Sequence, residues 1–297
     1  MNFHRLKVFH TVARLGSFSR AAEELYTSQP NVSKQVRQLE AELGTSLFHR
    51  LGSGIELTDA GRAVYRYAQQ VFDLTVEMQR TLAELEGLER GYLRLGASST
   101  PGLYLLPEVI AGFGRRYPGL EVSLSISNSS QVVDQILAGK LDLGFVGGFV
   151  EVAGLQVQPF VHDELVLIAP AEHRLARQTG ISAEELVAET FIVREAGSGT
   201  CQTMEVALET LGIKPQRALE MNGCEAVKRA VAAGLGLSFV SRYAIDLELG
   251  QGMLIVLHGP GLNLSRQLHI ISRKDIRLSP AALAFLALAR KRASSPN

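Results

Sequence analysis

Tryptophan is absent from this 297-residue chain, and cysteine is confined to Cys201 and Cys224. Two thiols cannot build the disulfide framework of a small secreted domain. An excess of either charge is missing too. Thirty Lys and Arg against thirty Asp and Glu leave a formal net charge of +0, so no global field draws the chain to nucleic acid or to an acidic membrane. No apolar run approaches the ~20 residues of a membrane span. Met1-Asn2-Phe3-His4-Arg5 reads as the start of a helix rather than a signal peptide, so the expected location is the cytoplasm, with no membrane partner. His4, His10, His49, His162, His173, His258 and His269 are scattered singly, without metal-ligand spacing, and no metal or cofactor is expected. Gly197-Ser198-Gly199-Thr200 lacks the lysine and spacing of a P-loop. A hydrolase built on Ser198 or Cys201 would need a base and an orienting group that the sequence does not supply, so no catalytic residue is assigned.

What is present begins with two short amphipathic helices around a tight turn. Hydrophobic residues make up 46% of the chain and charged residues 20%, which suffices for two or three ordinary cores. Ala21, Ala22 and Leu25 share one face of the first helix, and Val32, Val36, Leu39 and Leu43 share one face of the second. Ser28 suits an N-cap and Pro30 falls in the first turn, where a missing N–H costs little. Ser33, Lys34 and Arg37 lie away from the apolar stripe. A helix-turn-helix puts the N-terminal part of its second helix into the DNA major groove, although a helical hairpin with a solvated charged face would share this pattern. Any attraction to DNA is local, from Arg5, Lys7, Arg14, Arg20, Lys34, Arg37 and Arg50. Leu47-Phe48-His49-Arg50, Gly52-Ser53-Gly54 and Ile55-Glu56-Leu57-Thr58 then form a glycine-tipped extended hairpin, as in a wing that carries Arg50 to a phosphate or the minor groove.

With these residues the chain resembles the LysR-type transcriptional regulators. Ser19-Arg20-Ala21-Ala22, Ser28-Gln29-Pro30, Val32-Ser33, Gln38-Leu39-Glu40, Leu43-Gly44, Leu47-Phe48, Arg50 and Leu57-Thr58-Asp59-Ala60-Gly61 stand at that family's spacing. Asn31 departs from it, since a small residue is more usual there. The resemblance implies an α/β protein: an N-terminal winged helix-turn-helix, a long linker helix, and a two-lobed, periplasmic-binding-protein-like effector domain with parallel-rich sheets. Its DNA-binding set would be Arg20, Ser28, Gln29, Pro30, Asn31, Ser33, Lys34, Arg37 and Arg50. Gln29 and Ser33 would meet base edges, while Lys34, Arg37 and Arg50 hold phosphates of a pseudo-palindromic double-stranded site.

From Thr58 to about Leu88 the sequence reads as one helix, capped by Thr58 and ended by Gly91. Val64, Ala68, Val71, Thr75, Met78, Leu82 and Leu85 recur as an a/d seam, with Glu77, Arg80, Glu84 and Glu86 off it. The seam predicts pairing with a second copy, or docking on the chain's own body. The resemblance implies a homodimer through this linker, pairing again into a tetramer. The expected divisions are 1–58 for DNA binding, 59–90 for the linker and 91–297 for effector binding, with lobe I near 91–162 and 268–297 and lobe II near 163–267.

After Gly91 the pattern alternates, with strands at 92–97, 120–126 and 141–146 and helices at 103–117 and 132–138. A second unit has strands near 165–169, 190–193, 218–221 and 237–240 and helices near 201–211 and 225–233. The apolar last helix, 280–292, packs back on the first lobe in the resembled family. Alternation of this kind implies a parallel sheet with right-handed crossovers, and ligands of open α/β lobes sit beyond the carboxyl ends of the strands. Three hydroxyl-rich helix N-termini fall there, and they supply the effector candidates Ser98, Ser99, Thr100, Asn128, Ser129, Ser198, Gly199 and Thr200. Such ends offer orphan N–H groups and partial positive charge to a small anion, though each hydroxyl could be only a cap. Asn222-Gly223-Cys224-Glu225 reads as a structural capping box. Glu195 to Thr200 resembles the branch of the family that governs carbon fixation and sulfur assimilation, which suggests an oxyanion, carboxylate or phosphorylated effector. A competing reading is a cysteine-based redox sensor at Cys201, whose position at a helix N-terminus favours thiolate. Cys201 and Cys224 lack the spacing of the family's peroxide sensors, and buried inert thiols are the default.

Overall fold

The computed structural model describes residues 2–51, 54–85, 91–178, 180–214 and 217–293. It divides into two compact units, residues 1–82 and 83–297. In the first, α1 (Phe3–Leu15), α2 (Phe18–Glu24) and α3 (Gln29–Leu43) precede a hairpin of β1 (Phe48–Leu51) and β2 (Gly54–Leu57) and a long α4 (Asp59–Leu85). The Asn2 carboxamide accepts from the His4 N–H at the start of α1 and the Ser17 hydroxyl from the Arg20 N–H at the start of α2. Ser28 occupies the N-cap position of α3, but its hydroxyl makes no capping bond there, so its expected role is only positional. Leu6, Phe9, Val12, Ala21, Val32, Val36, Leu39 and Leu47 form the core. A fully buried side chain of this size contributes about 1.5–3 kcal/mol. Leu43, read as part of that stripe, is instead 37% exposed.

The wing is anchored by side chains of the helices. Glu40 accepts from the N–H of Leu47 at 2.7 Å and of Phe48 at 3.4 Å, which satisfies the entry to β1. Thr58 accepts from the Gly61 N–H at 2.9 Å and donates to the Ser46 carbonyl at 2.7 Å, so the expected cap of α4 forms. A Cβ on Gly61 would lie 2.1 Å from the Leu47 carbonyl oxygen, so only glycine lets α4 start against the wing. The seam read on α4 divides. Ala68 is buried, and Val64 and Val71 pack on the winged-helix core beside Tyr65 and Phe72. Its first half is therefore used within the chain, because heptad spacing marks an apolar stripe without saying what covers it. The side chains of Glu77, Arg80, Leu82, Glu84 and Leu85, the wing tip at 52–53 and residues 86–90 lie outside the described part.

The second unit opens with β3 (Gly91–Ala97), a π-helical turn over Pro101–Leu105, α5 (Leu106–Arg116), β4 (Leu120–Ile126), α6 (Ser129–Leu137), β5 (Leu143–Gly147) and β6 (Leu155–Pro170). There follow α7 (Ala183–Val187), β7 (Thr190–Arg194), α8 (Gly199–Thr210), β8 (Arg217–Met221), α9 (Cys224–Ala232), β9 (Ser238–Ser241), α10 (Asp246–Gly250), β10 (Leu254–Leu257), β11 (Asn263–Arg273) and α11 (Pro280–Ala293). The seven-stranded sheet runs β10-β6-β11-β5-β3-β4, with β9 also on β6. Parallel pairing joins β3 to β4 and β5, and β7 to β8. Around the two long strands β6 and β11, which pass between the lobes in opposite directions, pairing is antiparallel. Their ladder shifts register between Gln267 and His269.

Lobe I packs β3, β5, α5 and α11 around Phe113, Phe145 and Phe285. The last helix thus returns to the first lobe as expected. Lobe II packs α8 on one face, around Phe191 and Met204, and α9 on another, around Val227 and Val231. The helix expected from Leu103 begins instead as the π-turn, and α9 starts from Gly223, φ 82°, with no side-chain cap. The capping box read at Asn222 does not form. Glu225 turns to Tyr104 and Lys228, whose charge and phenol compete for its carboxylate. Among the described residues no helix is long and apolar enough to cross a membrane.

Candidate functional site

All eight residues read as effector candidates line one cleft between the lobes of the second unit, together with Arg194 and Arg266. The cavity they enclose is only about 10 Å³, far below the ~300–1,000 Å³ of a drug-sized site, so the lobes are closed on each other here. Each strand end delivers its residues as the topology dictates. β3 leads to Ser98, Ser99 and the π-turn; the loop after β4 leads to Asn128 at the start of α6; β7 leads to Ser198 at the start of α8. Asn128 closes a capping box with Gln131 and also donates to the Ala196 carbonyl of the other lobe at 3.4 Å. Ser129 donates to the Gly147 carbonyl at 2.9 Å, so its hydroxyl is already used within lobe I. Gly199 is there for close approach: a Cβ would sit 2.0 Å from the Gly147 carbonyl oxygen. Ser198 is buried at the N-cap of α8 and makes no capping bond with its side chain.

The two arginines join the lobes. Arg266, on β11, donates from Nε to Asp163 Oδ2 at 2.7 Å, from Nη1 to Thr200 Oγ1 at 3.0 Å and from Nη2 to Thr100 Oγ1 at 3.1 Å. Asp163, on β6, also accepts from the Ser241 hydroxyl at 2.6 Å. Burial lowers the Arg266 pKa and the adjacent Asp163 carboxylate opposes that, which keeps a buried cation hydrogen-bonded on several sides. Arg194 donates to both oxygens of Glu195 and, at 3.3 Å, to Ser99 across the cleft. Burial would raise the Glu195 carboxyl, but its bonds to Arg194 outweigh this and hold it below the usual range. Reading the sequence for helix ends missed both arginines. The signal for Arg266 was a cation inside an otherwise strand-like run, Leu262 to Ile271.

In the first unit, Arg20, Ser28, Gln29, Pro30, Asn31, Lys34 and Arg37 are exposed and Ser33 is half-buried. Gln29 to Arg37 all lie on α3, and Arg20 lies on α2, where its guanidinium donates to the Leu15 carbonyl. Asn31 donates to Thr27 Oγ1 at 3.0 Å, so one of its amide protons is used inside the turn. The backbone of Arg50 pairs with Ile55 in the wing, and its side chain lies outside the described part.

The thiols do not form a reactive pair. Cys201 and Cys224 are free and buried. Burial, reinforced by Glu205, which accepts from its Sγ–H, pushes the Cys201 thiol up to about 12. Cys224 is raised by burial as well. A protonated thiol is a poor nucleophile toward an oxidant.

Comparison with known proteins matches residues 3–62 to the bacterial regulatory helix-turn-helix protein, lysR family, and residues 86–294 to the LysR substrate binding domain. The chain belongs to the LysR family. It is 42% identical to the RuBisCO operon transcriptional regulator of Allochromatium vinosum, covering 96% of this chain and 94% of that protein. It is 38% identical to the HTH-type transcriptional activator CmpR of a Synechocystis strain, over 95% of this chain and 93% of that one. Among solved structures, the regulatory domain of Synechocystis CcmR in complex with 2-PG is 30% identical, with a TM-score of 0.65, covering 69% of this chain and 99% of that chain. Full-length CbnR complexed with its target DNA is 25% identical, with a TM-score of 0.64, covering 99% and 100%. This LysR protein is therefore a DNA-binding transcriptional regulator with an effector-binding domain, and not an enzyme, as the sequence led us to expect. The similarity to RuBisCO operon regulators agrees with the carbon-fixation branch suggested by Glu195 to Thr200.

Proposed function

We propose that this regulator senses a small phosphorylated carboxylate, of the kind of 2-phosphoglycolate, in the cleft between its lobes. One observation carries the reading: Arg266 holds Thr100 of one lobe and Thr200 of the other at the same time. An anion placed against these hydroxyls, Ser98, Ser99, Ser198 and the N-termini of α6 and α8 would compete for Arg266 and Arg194 and favour one setting of the lobes. Regulation is then a population shift, and the effector changes DNA binding only by its difference in affinity for the two settings. The CcmR complex supports the ligand class. The protein acts in the cytoplasm as a homodimer, assembling further into a tetramer, on a pseudo-palindromic promoter site. Gln29 and Ser33 read bases, and Arg20, Ser28, Pro30, Asn31, Lys34, Arg37 and Arg50 complete the contact face.

Calorimetry with 2-phosphoglycolate tests the cleft. Thr100→Val and Thr200→Val each strip a hydroxyl at nearly constant size and should weaken binding by about 0.5–3 kcal/mol. Cys201→Ser should bind as the parent. If both valine variants match the parent while the cysteine variant alone alters the response, the anion site is elsewhere and a redox sensor takes its place.

A further inference from the structure

Three helices of the first unit end with a chain reversal, and two of them use glycine for it. Gly16 closes α1 at φ 62° and Gly44 closes α3 at φ 68°. The third reversal, after α2, uses Tyr26 at φ 50°, which among the described residues is the single non-glycine position with positive φ. Its backbone is tied down: the Tyr26 N–H donates to the Glu23 carbonyl at 3.2 Å and the Thr27 N–H to the Ala22 carbonyl at 3.0 Å. That is the pattern of a helix C-terminus at which glycine is favoured, because a Cβ clashes with its own backbone in the left-handed region. A bulky residue there is a true outlier.

Among the described residues no packing contact repays this strain. The Tyr26 side chain is 97% exposed and belongs to no core cluster. Strain of this kind, without a packing return, points to function. The position says which function. Tyr26 stands three residues before Gln29, the first residue of α3, and this end of a recognition helix enters the major groove. Asn31 reaches back to Thr27, so the reversal and the first turn of α3 move as one piece.

We propose that Tyr26 is a DNA-contact residue whose phenol hydroxyl donates to a backbone phosphate at the edge of the groove that receives α3, fixing the depth of that helix. The contact rests on the family's DNA binding and is independent of the effector reading. A neutral donor neutralises no phosphate, so it adds affinity without releasing counterions.

The test uses the full-length protein, a duplex that the parent selects from a randomised pool, and a scrambled duplex of equal length. Tyr26→Gly relieves the backbone and should raise the unfolding temperature while weakening both duplexes about tenfold, the effect of losing a hydrogen bond to a charged group. The slope of log affinity against log salt should stay that of the parent. Tyr26→Asn, which tolerates the same φ, should weaken binding similarly. Tyr26→Phe should keep the parent's stability and lose most of the same affinity. Parent-like binding by the glycine and asparagine variants overturns the proposal. So does a loss of affinity that appears only together with a lowered unfolding temperature, since that marks a structural role.

Discussion

On α3, Gln29, Lys34 and Arg37 stand exposed. In the cleft, Arg194 and Arg266 are 6% and 8% exposed and already hold Glu195 and Asp163. The face of α3 proposed to meet DNA is a presented surface: its groups can exchange water for another partner without disturbing a core. The cleft is a closed circuit in which both arginines are bonded to protein partners. A ligand entering it has to replace such partners, and since those partners lie on both lobes, replacement changes how the lobes hold each other. On the proposed reading, exposure serves recognition in one unit and burial serves switching in the other.

The sharpest way to break this comparison is to unpair the buried charge. Asp163→Ala leaves Arg266 without its carboxylate and Ser241 without its acceptor. Stripping one partner from a buried ion pair costs about 3–5 kcal/mol, read as a fall in urea midpoint for the second unit. Adding Arg266→Met should recover much of that stability while removing 2-phosphoglycolate binding, because the desolvated cation is gone but so is the lobe-bridging donor. If Asp163→Ala unfolds like the parent, Arg266 is not the buried, paired cation described above, and the contrast with α3 fails.

This contrast also sets how much was legible. The helix-turn-helix, the wing and the family were readable because short-range spacing fixes them: Ala21, Val32, Val36 and Leu39 are buried as their period required. Helix N-termini next to strand ends announced the eight cleft residues, six of which carry a hydroxyl. Arg266 was not readable, because its partners are far away in the chain: the pairing of β6 with β11 brings Asp163 to it, while Thr100 comes from just past the end of β3 and Thr200 from α8. β6 runs Leu155–Pro170, well beyond the 165–169 that the apolar run predicts. Its first half, with Gln156, Gln158, His162 and Asp163, carries polar residues that break the apolar run by which buried strands are recognised. Arg194 was visible in its motif, yet nothing local distinguished a cleft cation from a surface one.

The linker offers the next largest effect. With Val64, Ala68 and Val71 packed on the winged-helix core, the large apolar side chains that α4 leaves exposed among the described residues are Tyr67, Leu74 and Met78, at 67%, 62% and 57%. Their spacing of seven and four still traces a heptad stripe, one shifted from the seam read in the sequence. Leu74→Glu with Met78→Glu would bury like charges in a paired helix, so the variant should sediment as a smaller species and lose about 100-fold in affinity for a two-half-site duplex through lost avidity. Single-half-site binding should hardly change. A double variant that sediments like the parent would place the dimer contact on another surface.

The smallest effect separates base reading from phosphate holding on α3, where both kinds of side chain are equally exposed. Gln29→Ala removes an amide able to pair two-fold with a base edge, and should cost about 1–3 kcal/mol on the selected duplex and almost nothing on a scrambled one. Lys34→Ala should weaken both duplexes alike and reduce the salt slope by about one. Neither change should move the unfolding temperature, because neither side chain packs in the core. This is the opposite of Asp163→Ala, where stability moves first. If Gln29→Ala weakens both duplexes equally, its amide holds backbone rather than bases, and the reading of sequence passes to Ser33 and its neighbours on the same face.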